Sequence, residues 1–199
     1  MCIRDRDAIG LYRELEEENI IIKDKEVIIL GAGGASNAIT YICADKGAAK
    51  IYLLNRTFDK AKKLADDVNS HFGDVVVPLA ISDYRLIPEG KYPVIQTTSC
   101  GLYPHNDDAP IYDKEFYELV EAGVDIIFNP AKTMFMKLCK ESGARAYNGL
   151  KMLLYQGIAA FELWNDIKVP KNLADKILGM MERKLTAVSY THLTLPTIL

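Results

Sequence analysis

Val27-Ile28-Ile29-Leu30-Gly31-Ala32-Gly33-Gly34-Ala35-Ser36 is the stretch whose reading decides the fold. A short apolar run ending in closely spaced glycines, then a helix-like segment, is how a βαβ unit begins when it holds a nucleotide pyrophosphate. Glycines permit the tight turn and let backbone N–H groups approach phosphate oxygens, and the helix N-terminus adds partial positive charge. The sixth position of the pattern is Ser36 rather than glycine, still small enough for close packing of helix on strand. Outward from this loop, a second apolar run, Ile51-Tyr52-Leu53-Leu54, ends in Asn55-Arg56-Thr57, with Asn55 lying 24 positions after Gly31. A site for a free ribose 2′-hydroxyl usually places Asp or Glu there, whereas a cation and a hydroxyl suit a 2′-phosphate. Taken singly, the glycines fit an ordinary strand-to-helix turn and Thr57 fits a helix N-cap. Taken together, they predict an NADP(H) site.

Strand and helix patterns alternate along the rest of the chain. Ile9, Leu11, Tyr12, Leu15 and Ile20 recur at helical spacing among Glu14, Glu16, Glu17 and Glu18, predicting an amphipathic helix over 8–19. Strands are predicted at 26–30, 50–54, 75–77, 93–97, 124–128 and 145–147. Helices are predicted at 34–46, 57–71, 114–122, 133–142, 150–165 and 171–185. Residues 82–93 and 103–113 read as loops, punctuated by Pro88, Gly90, Pro93, Pro104 and Pro110. The fold class expected is α/β: a Rossmann-like, doubly wound parallel sheet with helices on both faces.

Composition narrows the partners. A net charge of −3 with mixed signs gives no basic face, so nucleic acid is not expected. Cys43, Cys100 and Cys139 form no CxxC pair, and the histidines are scattered, so no metal site is expected and the thiols fit a reducing cytoplasm. No secretory signal follows Met1, and the apolar tail Leu193–Leu199 is too short to span a bilayer. These features predict a cytoplasmic protein.

The two ends carry a different signal. Met1-Cys2-Ile3-Arg4-Asp5 can be encoded by ATG TGT ATA AGA GAC, whose reverse complement reads Val-Ser-Tyr-Thr-His, the residues found at 188–192. Inverted copies of one short DNA element at both ends look like adapter sequence translated in frame. Residues 1–6 and 188–199 are therefore expected to be artefactual, and 7–187 to be one cofactor-binding domain.

Beyond these local readings, the chain resembles shikimate dehydrogenase, the family that reduces 3-dehydroshikimate to shikimate with NADPH. The resemblance runs through Gly31–Ser36, Asn55-Arg56-Thr57 with Lys60, and Thr97-Thr98-Ser99 with Gly101. It continues through Asn129-Pro130 with Thr133 and Asn148-Gly149-Leu150 with Met152 and Gln156. It implies that Gly31, Gly33, Gly34, Ala35 and Ser36 sit on the pyrophosphate, and that Asn55, Arg56, Thr57 and Lys60 hold the 2′-phosphate. It places Thr98 and Ser99 at the nicotinamide-ribose end, Gly149 and Met152 against the nicotinamide, and Gln156 on the substrate. Plain core packing is the competing reading of Met152. Phe128 stands where the family commonly has a substrate-binding Tyr, Gln96 where Asn is frequent, and Lys151 where Gly is often found.

The resemblance further implies an N-terminal substrate domain of about a hundred residues that this sequence lacks, including a Lys active in proton transfer. Its partner Asp aligns with Asp7, for which a helix N-cap is the competing reading. The chain is thus expected to bind NADP(H) and to turn over little or nothing. The alternatives are a quinate/shikimate dehydrogenase with relaxed cofactor choice, a non-catalytic nucleotide-binding module, and another Rossmann reductase.

Overall fold

The computed structural model describes the backbone of residues 3–193 and the side chains of residues 7–185. Residues 1–2 and 194–199 of the adapter-like stretches 1–6 and 188–199 therefore lie outside the described residues, as do all the side chains of both stretches. Six strands form a single, all-parallel sheet: β1 (Glu26–Leu30), β2 (Lys50–Asn55), β3 (Val76–Ala80), β4 (Tyr92–Gln96), β5 (Val120–Asp125) and β6 (Arg145–Asn148). Their order across the sheet is β3-β2-β1-β4-β5-β6, the doubly wound order whose direction reverses between β1 and β4. β1 is the centre, with Ile28 opposite Tyr52 on one side and Val94 on the other.

A parallel strand covered on both faces has no wet side, so it reads as continuous apolar sequence. Val27 to Leu30 are all fully buried, at roughly 1.5–3 kcal/mol per large side chain. Alternate residues serve opposite faces. Val27, Ile29, Ile51, Leu53 and Ile95 pack beneath α1 (Ile3–Glu17), α2 (Gly34–Asp45), α3 (Phe58–Phe72) and α6 (Leu150–Asn165). Ile28, Leu30, Tyr52, Leu54 and Val94 pack against a 3-10 helix at Ile81–Leu86, α4 (Lys114–Glu118) and α5 (Met134–Glu141). α7 (Lys171–Leu193) follows α6. Among the described residues, no helix is long and apolar enough to cross a membrane.

Several boundaries differ from the sequence reading, each for a local reason. The helix expected at 114–122 ends at Glu118, and β5 begins at Val120 instead of 124. A register shift opposite Tyr92 and Pro93 leaves Glu121 unpaired and exposed, a bulge that hides the strand's start. β5 stops at Asp125 because its carboxylate takes the Ile127 N–H (3.0 Å), turning the chain out of the sheet. β3 runs on through Pro78, tolerable on an edge strand. The loop expected at 82–93 holds the 3-10 turn, which buries Tyr84. α1 starts at Ile3, so Asp7 lies inside the helix and is not its N-cap. α7 continues to Leu193 instead of stopping near 185.

The acidic row of α1 is not its wet face. It is a polar seam against α6 and α7. Glu17 accepts the Tyr155 hydroxyl (2.6 Å) and pairs with Lys151 and Lys171, and Lys151 also pairs with Glu18. Arg13 bonds Glu162 (2.8 Å). Glu14, only 1% exposed, accepts the Met152 N–H (3.0 Å) in the first turn of α6, where Gly149 at the N-cap has no side chain to offer. Burial pushes Glu14 up to about 8, against the bond from Met152 and the nearby charge of Lys151, which favour ionisation.

Two outcomes are expected from this packing. Between pH 4.5 and about 8 the folded chain keeps a proton on Glu14 that the unfolded chain has released, so stability falls as pH rises through that window. Glu14→Gln should flatten the fall of melting temperature with pH across that interval, at roughly 2–4 °C per kcal/mol for a chain of this size. Parallel Tm–pH curves for the two proteins would refute it. Gly149→Ala would put a Cβ 2.1 Å from the Ile126 carbonyl oxygen and 2.5 Å from its carbon, both backbone. It should cost about 2 kcal/mol or more by urea denaturation, and an unchanged midpoint would count against this account.

Candidate functional site

The carboxyl ends of β1, β2 and β4 meet where the strand order reverses. Gly31 follows β1 with φ +111°, a conformation that side chains avoid, and a Cβ there would lie 2.6 Å from Thr97 Oγ1. Its N–H donates to Leu54 O (2.7 Å), and its carbonyl accepts the buried Ser36 hydroxyl (2.5 Å). Thr97 donates its own hydroxyl to Leu30 O (2.7 Å). These bonds fix the glycine loop to the sheet. Gly33 is the N-cap of α2 with no side-chain cap, and a Cβ on Gly33 or Gly34 would meet only open space. The loop therefore offers helix N-terminal N–H groups to an anion.

Beyond β2, Asn55 Nδ2 donates to Thr57 O (2.8 Å), bracing the turn that presents Arg56. Thr57 occupies the N-cap of α3, but its hydroxyl makes no capping bond. Arg56, Lys60 and Lys63 are exposed. Among the described residues they form no ion pair, while Lys62 between them pairs with Asp66 (2.8 Å). A cavity of about 410 Å³ is lined by Gly31, Asn55, Arg56, Thr98, Ser99 and Cys100, together with Asp108, Pro110 and Tyr112. A second recess, about 520 Å³, is lined by Ala32, Gly33, Asn37, Lys60, Lys63 and Asp67, the last holding the Tyr41 hydroxyl (2.9 Å). The glycine loop borders both hollows, with guanidinium in one and ammonium groups in the other.

The remaining expected residues stand apart from that cavity. Ser36 is fully buried and serves the loop from behind, and Ala35 lies in the first turn of α2. Gly149 starts α6 and donates to Ile127 O (3.0 Å). Met152 belongs to the core beneath the sheet. Gln156 is half-buried one turn further along α6, and Phe128, 36% exposed, follows the end of β5. Asp7 is half-buried on α1. Gly10, one turn after it, approaches α6 so closely that a Cβ would lie 2.6 Å from Met152 O and 2.9 Å from Gln156 N. Among the described residues, no cluster of three or more His, Cys, Asp or Glu could hold a metal.

Sequence reasoning missed Asp125, the buried end of β5. Its carboxylate accepts Thr133 Oγ1 (2.6 Å), Ile127 N–H and Gln96 Nε2 (3.4 Å). Burial raises its pKa to about 6, opposed by those three bonds. The signal was present as a lone acid inside the apolar run Val124-Asp125-Ile126-Ile127.

This geometry has known counterparts. A family model described as Shikimate / quinate 5-dehydrogenase matches residues 14–82, and one described as Shikimate 5′-dehydrogenase C-terminal domain matches residues 149–176. Shikimate dehydrogenase (NADP(+)) of Caldicellulosiruptor bescii is 40% identical over 184 residues, covering 89% of this chain and 61% of the relative. Among solved structures, a chorismate mutase/shikimate 5-dehydrogenase fusion protein from Clostridium acetobutylicum superposes with TM-score 0.77 at 31% identity, covering 92% of this chain and 62% of that one. A shikimate dehydrogenase in complex with NADP+ gives TM-score 0.73 at 33% identity, covering 87% and 60%. The chain spans about three fifths of the length of these relatives. Fold, loop chemistry and sequence agree: this chain belongs to the shikimate dehydrogenase family.

Proposed function

We propose that this chain is the NADP(H)-binding part of an enzyme that reduces 3-dehydroshikimate to shikimate. The observation that carries the reading is Arg56, a guanidinium with no ion-pair partner among the described residues, in the same cavity as Gly31, Thr98 and Ser99. Its planar fork suits a phosphate oxygen pair and can stack over adenine, and Lys60 adds charge from the neighbouring recess. Gly31 to Gly34 admit a pyrophosphate where a Cβ would crowd Thr97 or where nothing stands in the way. NADPH, when bound, supplies the hydride that the ketone accepts.

The chain's own residues do the rest of what is assigned here. Thr98 and Ser99 orient the nicotinamide-ribose end, with Gly149 and Met152 on the nicotinamide side. Gln156 offers its amide to the substrate, and Phe128 gives that site an apolar edge in place of a hydroxyl. Asp7, held on α1 against α6, assists a lysine outside this sequence in passing a proton to the developing alkoxide. Residues 7–187 form the functional unit and the adapter-like ends add nothing to it. By this reading the 199-residue chain binds cofactor and turns over little by itself. It acts in the cytoplasm on a small molecule, without nucleic acid or membrane.

Titration of the 199-residue chain with NADPH and NADH, followed by cofactor fluorescence, tests this. NADPH should bind tighter, and Arg56→Ala should weaken it about 10- to 100-fold, the worth of charge-assisted bonds to phosphate, with NADH little changed. Equal affinity for the two cofactors would overturn the 2′-phosphate assignment. Brisk reduction of 3-dehydroshikimate by this chain alone would overturn the claim of low turnover.

A further inference from the structure

A buried polar cluster at the ends of β4 and β5 is left unused by the reading above. Asp125 and Gln96 are both fully buried. Besides its bond to Asp125, Gln96 Nε2 donates to Cys100 O (3.1 Å), and Gln96 Oε1 accepts the Thr98 N–H. Cys100 N–H in turn donates to Thr98 Oγ1 (3.2 Å), closing the turn that carries Thr98 and Ser99. On its other side Asp125 holds Ile127 N–H, whose carbonyl receives the Gly149 N–H at the start of α6, and Thr133, the N-cap of α5. One carboxylate thus joins three segments: the Thr98 turn, the Phe128 turn and the entry to α6.

Apolar filler would close a strand end at less cost, since a buried carboxylate must recover its lost hydration from protein donors. What filler cannot do is hold several donors from different segments at fixed separations. The three segments held here are those that carry Thr98 and Ser99, Phe128, and Gly149. We propose that Asp125 is a positioning residue. Acting through Gln96 on one side and through Ile127 and Thr133 on the other, it sets the gap between the Thr98 turn and the Phe128 turn and so immobilises the nicotinamide ring. This rests on the chain being an NADP(H) binder. It adds to that reading a part for a residue that touches neither cofactor nor substrate.

The test compares two ligands that share the adenine half: NADPH, and 2′-phospho-ADP-ribose, which lacks nicotinamide. Affinities for both are measured, together with the fluorescence anisotropy of bound NADPH at saturation, for the unaltered chain and for Asp125→Ala, Gln96→Leu and Asp125→Asn. Asp125→Ala and Gln96→Leu should each lower the anisotropy by half or more and weaken NADPH at least fivefold, leaving 2′-phospho-ADP-ribose within twofold. Asp125→Asn keeps an acceptor for Gln96 and Ile127 and should restore both readouts. If Asp125→Ala does not fold, Gln96→Leu and Asp125→Asn decide. Equal weakening of both ligands, or unchanged anisotropy, overturns the positioning role while NADPH binding stands. Low anisotropy in the unaltered chain overturns it too, because no ring is then held. Failure of the unaltered chain to bind NADPH would instead overturn the cofactor reading, and the positioning role with it.

Discussion

The structure depends on how backbone groups are satisfied where β1 and β4 part company. Two neighbouring parallel strands feed crossovers that run in opposite directions, so just beyond Leu30 and Gln96 the ladder ends in a few last backbone bonds and side chains take over. Leu30 O is taken by the N–H and the hydroxyl of Thr97, Gly31 N–H by Leu54 O, and Gly31 O by Ser36. Each solution pins a loop in place. The cavity is what remains between loops so pinned.

The same geometry explains why the charges stay available. Asn55 spends its amide on the turn that carries Arg56, while on α3 Asp66 is taken by Lys62 and Asp67 by the Tyr41 hydroxyl (2.9 Å), so neither carboxylate neutralises Lys60 or Lys63. Cations left without carboxylate partners around a loop of open N–H groups make a field that favours a polyanion. The seam between α1 and α6 does the opposite work. There nearly every charge is neutralised at short range, so the two helices are held as one layer under the sheet.

Sequence patterning made the sheet legible wherever burial was symmetrical. β1, β2 and β4 are covered on both sides and read as unbroken apolar runs, and the glycine loop and the Asn55-Arg56-Thr57 turn sit directly after them. Legibility failed where a residue's partner lay far along the chain. The bulge at Glu121 depends on Tyr92, and the close approach of α5 at Gly123 depends on Phe135 and Cys139. Glu14 reads as a wet residue at helical spacing, yet it is buried, its carboxylate taking the Met152 N–H in the first turn of α6, well over a hundred positions later. The part of the site formed by Arg56, Thr98 and Ser99 was thus readable, while the network through Asp125 was not, since three of its bonds join residues whose spacing follows no motif.

Ser36 has a consequence for anyone who would transplant this loop. Judged by pattern alone it is a flaw, a serine in a place reserved for glycine. Its hydroxyl nonetheless supplies the donor for Gly31 O, and its own carbonyl receives the Thr40 hydroxyl (2.7 Å) one turn along α2. Restoring the consensus glycine would strip an interior acceptor of its partner. The portable cassette is therefore the loop together with the first two turns of α2, and a graft cut at the last glycine would carry the motif but leave its fastening behind.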